Sequence, residues 1–340
     1  MTTQLTTTTY SHRRKWRLTR WLLSLFSVSL IVVFGVLVAK SEYIVLGAEG
    51  YMYGYPLVIM DITRANGSQN IGPVNQLRRV RQFPSPQFRD VVVRPNVDTL
   101  YTNAFIDMDQ GPWVFTLPPN SQRYELMAFL DAWTDVFAAP GTRTTGTQGG
   151  EFLLVGPHWQ GVTPESLTLL RSPTRMVWLI GRTQTHGPSD YQLVHQLQDG
   201  LHFQSLTDWL AGSERETPPW QAALERPVAP LEQMRAMKTE IFFTRLAKLM
   251  TDNPPKAADA PLVLKLLRIG VAPGVPPQWG WLDRLCVALG RRIADWKVAQ
   301  ELSRSHGQVG AWITPPAMLG NYGTHYNIRA VVSMIGLGAN

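Results

Sequence analysis

The sequence contains a single cysteine, Cys286, so no disulfide can form within the chain of 340 residues. The usual spacing of zinc ligands is also missing, because the seven histidines show neither the H-x-x-x-H pattern nor paired cysteines. No G-x-S-x-G elbow, Walker A loop or G-x-G-x-x-G fingerprint occurs. We therefore expect neither a bound metal nor a cofactor.

Most of the net positive charge lies in the first twenty positions. The net charge is +7 at pH 7, and five of those charges come from Arg13, Arg14, Lys15, Arg17 and Arg20. A protein that binds nucleic acid concentrates its cations on a folded domain, whereas here they lie in a terminal tail. The charge distribution therefore argues against nucleic acid as a partner.

The segment that follows this basic tail, Trp21–Ala39, contains no charged residue. As a helix it would be about 28 Å long, close to the thickness of a bilayer core. The basic tail, residues 1–20, favours a cytoplasmic N-terminus and a folded part on the periplasmic or extracytoplasmic side of the inner membrane. A cleaved secretory signal is the alternative, although its apolar core is shorter and Leu37 is large for a cleavage site. We expect a single-pass anchor, with the membrane as a partner through residues 21–39.

Short apolar segments, separated by turn residues, dominate residues 73–185. They follow a predicted helix that runs from residue 43 to about 65 and that Pro56 would kink. The number and spacing of these segments are typical of a β-sandwich. We therefore predict that residues 43–188 form a β-sandwich domain with a leading helix.

Residues 189–306 change to helical periodicity, which predicts a small helical domain and an α+β protein overall. One helix is predicted to start at Asp259, as its N-cap, and to end at Gly270. The core-facing stripe that we predict for the next helix consists of Leu282, Leu285, Leu289, Ile293 and Trp296.

Several long segments of the sequence, in this order, resemble domain-of-unknown-function family 1254. In the first half they are "EGYMYGYPLVIM", "RPNVDTLYTNAFIDM", "GPWVFTLP", "RYELMAFLDAW" and "GEFLLVGPHWQG". Later they are "EIFFTRLAKLMTDNPP", "ADAPLVLKLLRIGVAPG" and "GNYGTHYNIRAVVSMIGLGAN". The resemblance covers residues 43 to 340.

The resemblance implies an immunoglobulin-like sandwich, then a small helical domain, then a jelly-roll domain of the companion family 1214. Residues 307–340 look like the start of that jelly roll, and most of it is expected to be missing. The apolar segment "IRAVVSMIGLGAN" is therefore expected to lack its partner strands and to form an exposed edge that promotes aggregation. The resemblance does not imply any particular activity for this protein.

Polar side chains crowd into "RPNVDTLYTNAFID", where an ordinary half-buried strand would alternate apolar and polar residues. Asn96 and Asp98 follow a proline, and such side chains often bond nearby backbone N–H groups to form a turn. Together with Tyr101, they could instead line a pocket for a polar ligand. Both interpretations stay open, because buried polar groups are usually satisfied inside the protein.

A second constellation occurs in "LDAWTDVFAAPGTR". Here Asp131 and Asp135 accompany Trp133 and Arg143, a set that could bind a sugar with the indole against its ring. Paired carboxylates also serve glycosidases, provided that their separation is right. A loop held by an Asp–Arg pair is the structural alternative.

The ligand-binding candidates are therefore Asn96, Asp98, Tyr101, Asp131, Trp133 and Arg143. The leading hypothesis is a membrane-anchored exported protein of an uncharacterised family that binds a small polar ligand. A hydrolase acting on a polar or sugar-like substrate is one alternative, and a non-catalytic structural or interaction module is another. Formation of a homo-oligomer stays open.

Overall fold

The computed structural model describes residues 6–70, 72–83, 97–120, 123–213, 228–306 and 317–337. Its helices are α1 (Thr6–Ala39), α2 (Ser41–Asn70), α3 (Tyr191–Asp199), α4 (Leu206–Leu210), α5 (Pro230–Ala236), α6 (Thr239–Asp252), α7 (Ala260–Leu267), α8 (Trp281–His306) and α9 (Tyr326–Leu337). Its strands are β1 (Arg78–Arg79), β2 (Thr99–Asp107), β3 (Trp113–Leu117), β4 (Glu125–Asp131), β5 (Val136–Ala138), β6 (Gly150–Val155), β7 (Thr168–Arg171), β8 (Met176–Gln184) and β9 (His202–Ser205). The mixed α+β composition expected from the sequence is confirmed.

The strands form two sheets. The larger sheet has the order β1-β2-β8-β4-β5, and all of its pairs are antiparallel. The smaller sheet has the order β7-β6-β3-β9, in which only β6 and β7 run parallel. β2, whose sequence is "TLYTNAFID", is an interior strand between β1 and β8.

One apolar cluster joins the two sheets. Phe115 of β3 meets Phe129 of β4 edge to face, with ring centroids 5.4 Å apart. Ala104 and Ile106 of β2 belong to the same cluster. Because successive side chains of a strand point to opposite faces, Phe105 between them packs instead against the helices. The larger sheet is therefore buried on both faces, and this explains why β2 lacks a clean alternation of polar and apolar residues.

α2 is the central helix of the second apolar cluster. Its residues from Tyr51 to Ile62 are almost entirely buried, and it packs against α5, α6, α7, α8 and α9. Pro56 lies inside this helix, as expected. α7 begins at Ala260 with Asp259 at the N-cap position, although the Asp259 side chain makes no capping bond there.

The predicted core-facing stripe of α8 is wrong. Leu285, Leu289, Ile293 and Trp296 are exposed, and the buried residues of α8 include Cys286, Val287, Gly290, Ala294 and Val298. The apolar residues of this helix occupy two faces, and α2 covers the face with the smaller side chains. Gly290 allows this close approach, since a Cβ atom there would lie 2.1 Å from the Ile44 carbonyl oxygen.

The expectation of an unpaired edge near the C-terminus is also wrong. Residues Tyr326–Leu337 form helix α9, which packs on α2 and buries Ala330, Met334 and Leu337. A helix satisfies its backbone hydrogen bonds internally, so this segment needs no partner strand.

The N-terminal hydrophobic segment lies in α1, whose apolar side chains from Trp21 to Val33 are exposed. Within the described residues, no single helix is long and apolar enough to cross a bilayer by itself. The pair Arg20–Val36 and Ser41–Asn66, bent by 54°, meets the length and composition requirement together. The N-terminal helix pair therefore supports membrane attachment only through its length and composition.

Candidate functional site

The pairing register of β8 fixes how far apart the candidate residues lie. Asp131 is opposite Val177, whereas the Asp98 carbonyl accepts a hydrogen bond from the Thr185 backbone at 2.9 Å. Positions 177 and 185 are eight residues apart on an extended segment, which corresponds to about 26 Å. Asp98 and Asp131 therefore occupy opposite ends of the larger sheet.

Asp98, Tyr101 and Arg143 lie towards the Gln184 end of that sheet. Asp98 and Arg143 are exposed and Tyr101 is half-buried. The guanidinium of Arg143 lies over the ring of Tyr124 at 5.1 Å, and that of Arg182 over Tyr101 at 5.5 Å. Asn96 lies outside the described residues.

Asp131, at the opposite end, organises the turn between β4 and β5. Its Oδ1 accepts hydrogen bonds from the backbone N–H groups of Trp133 at 2.9 Å and Asp135 at 3.0 Å. Between them, Thr134 has a φ of 70°, a left-handed conformation that the surrounding hydrogen bonds hold in place. The sequence "DAWTD" is therefore a turn built around its own first carboxylate.

Trp133 is carried into the interior by this turn. Its side chain is fully buried, its Nε1 donates to the Pro254 carbonyl at 3.2 Å, and its ring lies 4.7 Å from that of Tyr53. The indole face that was expected to receive a sugar is packed against a protein ring.

Two cations face the two carboxylates of the turn. The Lys256 ammonium lies 3.1 Å from Asp131 Oδ2 and also contacts Asp135. The Arg329 guanidinium donates to Asp135 Oδ2 at 2.9 Å. Asp135 Oδ1 accepts from the Tyr322 backbone at 2.8 Å. The expected Asp–Arg pair exists, but its arginine is Arg329 of α9 and not Arg143.

A third buried carboxylate extends this set. Asp259 is fully buried, and its Oδ1 accepts from the Tyr326 hydroxyl at 3.0 Å. The Tyr326 ring meets the Tyr53 ring edge to face at 5.2 Å. Desolvation, and next the Asp259 carboxylate, raise the pKa of the Tyr53 hydroxyl. We define the buried polar cluster as Tyr53, Asp131, Asp135, Lys256, Asp259, Tyr326 and Arg329.

Burial changes the acid–base properties of this cluster. Desolvation raises the pKa of Asp131, and the nearby Lys256 ammonium only partly opposes that shift. Desolvation also raises the pKa of Tyr326, with the Asp259 carboxylate acting in the same direction. Three carboxylates face two cations, so the fully ionised cluster would carry one excess negative charge. Protonation of Asp131 would make it neutral.

Some buried polar atoms of the cluster have no hydrogen-bond partner within the described parts of the chain. They are Arg329 Nε and Nη1, Asp259 Oδ2 and the Tyr53 hydroxyl. All three side chains are essentially inaccessible to solvent. Because an unsatisfied buried polar group costs about 1–3 kcal/mol, such a concentration is unusual in a purely structural junction.

A separate surface cleft of about 270 Å³ lies near the same end of the sheet. Arg175, which lines this cleft, forms a bidentate ion pair with Asp107, at 2.8 and 2.9 Å, and contacts Asp109 at 2.8 Å. Trp159 and Asp252 also line it. Among the described residues, no group of three His, Cys, Asp or Glu side chains could hold a metal ion.

The sequence pointed to Asp131 and Trp133 but missed Lys256, Asp259 and Arg329 as their neighbours. Asp259 was interpreted as a helix cap. The available signal was Arg329 itself, since one cation within the apolar segment "IRAVVSMIGL" must be paired if that segment is buried.

Sequence comparison identifies the central part of the chain. Residues 74–205 match the family described as "Protein of unknown function (DUF1254)". The resemblance expected from the sequence is thus confirmed over this DUF1254 segment. The segment contains Asp131 and Asp135 of the buried polar cluster, whereas Tyr53, Lys256 and Arg329 lie outside it. No curated protein matches the chain.

Two solved structures are similar to this chain. The VPA0106 protein from Vibrio parahaemolyticus is 21% identical, with a TM-score of 0.60 over 87% of this chain and 67% of that one. It shares the fold. An uncharacterised protein from Burkholderia cenocepacia is 14% identical, with a TM-score of 0.27 over 67% of this chain and 61% of its own. That second similarity is too low to support a structural comparison.

Proposed function

We propose that this chain is an exported protein, tethered to the inner membrane by α1, that binds a small polar ligand in the buried polar cluster. The folded part lies on the periplasmic or extracytoplasmic side, and its two sheets form an immunoglobulin-like sandwich. The charge-free segment Trp21–Ala39 behind a basic tail supports the topology. The aromatic contact between Phe115 and Phe129 supports the sandwich.

One observation carries the ligand-binding proposal. The guanidinium of Arg329 is completely buried, and two of its nitrogen donors have no hydrogen-bond partner in the described chain. Arginine presents its donors in a rigid fork that suits a bound oxygen acceptor. Asp259 Oδ2 and the Tyr53 hydroxyl are further groups of the cluster without a hydrogen-bond partner in the described chain. The carboxylate oxygen can accept a hydrogen bond, and the hydroxyl can donate or accept one.

The charge balance of the cluster indicates the class of ligand. An anion would bind next to three carboxylates, and a cation would face the Arg329 donors. A small uncharged molecule avoids both conflicts if it presents an oxygen acceptor to Arg329 and an N–H or O–H donor to Asp259. Polyols and small amides have this combination of groups.

The hydrolase alternative has less support from the geometry. Asp131 Oδ1 is occupied by two backbone N–H groups, and its Oδ2 by Lys256. A glycosidase needs one carboxyl group that donates a proton and a second that acts as a base or nucleophile. The carboxylate beside Asp131, that of Asp135, is held in the same way by Lys256, Arg329 and the Tyr322 backbone.

The structural alternative is favoured by one observation of its own, the direct ion pair between Asp135 and Arg329. If this pair serves only to fix α9 against the sheet, the cluster holds no ligand. The ligand-binding function and the structural function predict different responses to an added ligand when Tyr53 and Arg329 are replaced.

A thermal-shift screen of the full chain in detergent tests the proposal. We expect a polyol or amide to raise the unfolding temperature of the parent. The same compound should lose its effect on Tyr53→Phe and Arg329→Lys. Arg291→Lys is the matched control, because Arg291 is also buried but donates to the carbonyls of Met234 and Met237. An equal shift in the parent and both cluster variants would contradict the proposal, as would no response to any compound.

A further inference from the structure

Exposed apolar side chains surround the start of α2, directly after the hydrophobic helix α1. The group consists of Val45 on α2, Leu264 and Leu267 on α7, and Trp281 and Leu285 on α8. Their exposed fractions are 53%, 67%, 54%, 78% and 61% respectively. We call these five residues the juxtamembrane collar. Contiguous exposed apolar groups of this kind mark an interaction surface more often than scattered single residues do.

Two ion pairs hold the collar against the junction of α1 and α2. Lys40, one residue beyond the end of α1, pairs with Asp283 of α8 at 2.8 Å. Glu42, in the first turn of α2, pairs with Arg268 at 2.6 Å. Trp281 is two residues from Asp283, and Leu267 is next to Arg268. The collar residues of α7 and α8 therefore lie beside the point where α1 ends.

Cations accompany the apolar residues of the collar. Lys265, Arg268 and Arg284 are all exposed and are sequence neighbours of Leu264, Leu267 and Leu285. Arg268 pairs with Glu42 and Arg284 with Glu240 at the surface, so lipid headgroups would compete with these two carboxylates. The long stems of lysine and arginine can lie along apolar surface while their charged ends reach a polar layer. Tryptophan at the edge of such a surface is typical of a membrane–water interface.

We propose that the juxtamembrane collar inserts into the interfacial layer of the membrane to which α1 tethers the chain, with Lys265, Arg268 and Arg284 on anionic lipid headgroups. This inference rests on the proposed tethering by α1. A bilayer surface that begins where α1 ends meets the collar without any further movement of the chain. Apolar residues flanked by cations are the combination that binds interfaces containing anionic lipid.

A second copy of this chain is the competing occupant. The exposed residues Leu289, Ile293 and Trp296 continue the apolar surface along α8, away from the collar, and could serve such a contact. At the collar itself, two copies would bring the Lys265 ammonium groups together with Arg268 and Arg284, whose charges Glu42 and Glu240 only partly offset at the surface. Like charges in contact disfavour association, whereas anionic headgroups neutralise them.

Spin-label accessibility in full-length protein reconstituted into vesicles tests this proposal. Cys286 is the sole native cysteine and is buried, so Cys286→Ala provides the background for single labels. Leu264→Cys and Leu285→Cys report on the collar. Phe26→Cys reports on α1, and Val162→Cys is an exposed control in the loop after β6. Oxygen concentrates in the bilayer and a charged nickel complex in water, so their relative effects locate each label.

We expect labels at positions 26, 264 and 285 to favour oxygen severalfold over the label at position 162. Adding phosphatidylglycerol to phosphatidylcholine vesicles should increase this preference at 264 and 285, and Lys265→Gln with Arg284→Gln should abolish the increase. If only position 26 favours oxygen, the collar proposal is wrong and the tether stands. If position 26 resembles position 162, the tether itself is wrong. Spin–spin broadening at 264 or 285 would show a contact between copies and overturn the proposal.

Discussion

The Arg329 guanidinium and the Asp135 carboxylate meet at 2.9 Å although 194 residues of chain separate them. Both side chains are buried, so neither is compensated by solvent. This ion pair connects α9 with the turn between β4 and β5. Two other donors of Arg329 have no hydrogen-bond partner among the described residues, and they belong to the cluster in which we propose that the ligand binds.

Replacing Arg329 with methionine should strongly destabilise the protein. Removing one partner of a buried ion pair leaves the other charge uncompensated, at a cost of about 3–5 kcal/mol. Urea unfolding of Arg329→Met against the parent measures this change. Arg284→Gln removes an exposed pair with Glu240, so it should change the free energy of unfolding by about 1 kcal/mol or less. Equal effects of the two substitutions would show that burial of the Arg329 pair contributes nothing.

A chain that ends at Arg304 should be less stable than the full chain. It lacks α9, and therefore the buried side chains of Met334 and Leu337, each worth about 1.5–3 kcal/mol. It also leaves Asp135 without Arg329. Thermal unfolding and the soluble fraction of both forms test this. Higher stability of the shorter chain would instead support the expectation from the sequence, that the segment "IRAVVSMIGLGAN" is exposed and promotes aggregation.

Gly290→Ala should be destabilising, although alanine is the better helix former. In an exposed helix this exchange gains about 0.8–1 kcal/mol. At position 290 the new Cβ would approach the Ile44 carbonyl oxygen and the Ala48 backbone nitrogen, which are not free to move aside. Overpacking typically costs about 1–3 kcal/mol. Gly336→Ala in α9 is the control, since a Cβ there meets nothing within 4 Å. Chemical unfolding of both variants measures the change in the free energy of unfolding relative to the parent. We expect the change to be of opposite sign for Gly290→Ala and Gly336→Ala.

Glu125 should make the stability of the protein depend on pH. Its carboxyl is buried with Thr183 and Asn120 as hydrogen-bond partners, and desolvation raises its pKa above the usual 4.5. A pKa raised by folding means that the folded state holds the proton more tightly. The contribution is therefore fully present below the unfolded pKa and is lost as pH rises through the folded pKa.

The variant Glu125→Gln removes this titration. We expect the free energy of unfolding of the parent to fall, relative to that of Glu125→Gln, as pH increases from 4 to 8. Urea unfolding at several pH values measures the difference between the two proteins. A difference that stays constant, or that changes in the opposite direction, would show that the Glu125 carboxyl is stabilised in its charged form.

Local patterns in the sequence were enough to predict the hydrophobic segment Trp21–Ala39, the helix around Pro56 and most of the strands from β2 to β8. Each depends on side chains close together in the chain, whose periodicity reflects the repeat of a strand or a helix. The turn at Asp131 was foreseeable in the same way, because an aspartate can bond the backbone N–H groups that follow it.

Only the tertiary structure decided which face of α8 is buried and which cations meet Asp131 and Asp135. α8 carries apolar residues on two faces, so periodicity cannot distinguish the face that packs on α2 from the face left exposed. Lys256 and Arg329 reach the carboxylates from distant parts of the chain, and nothing in local spacing encodes that meeting. Long-range packing selects among surfaces that the sequence makes equally plausible, because the free energy of burial depends on the partner as well as on the residue.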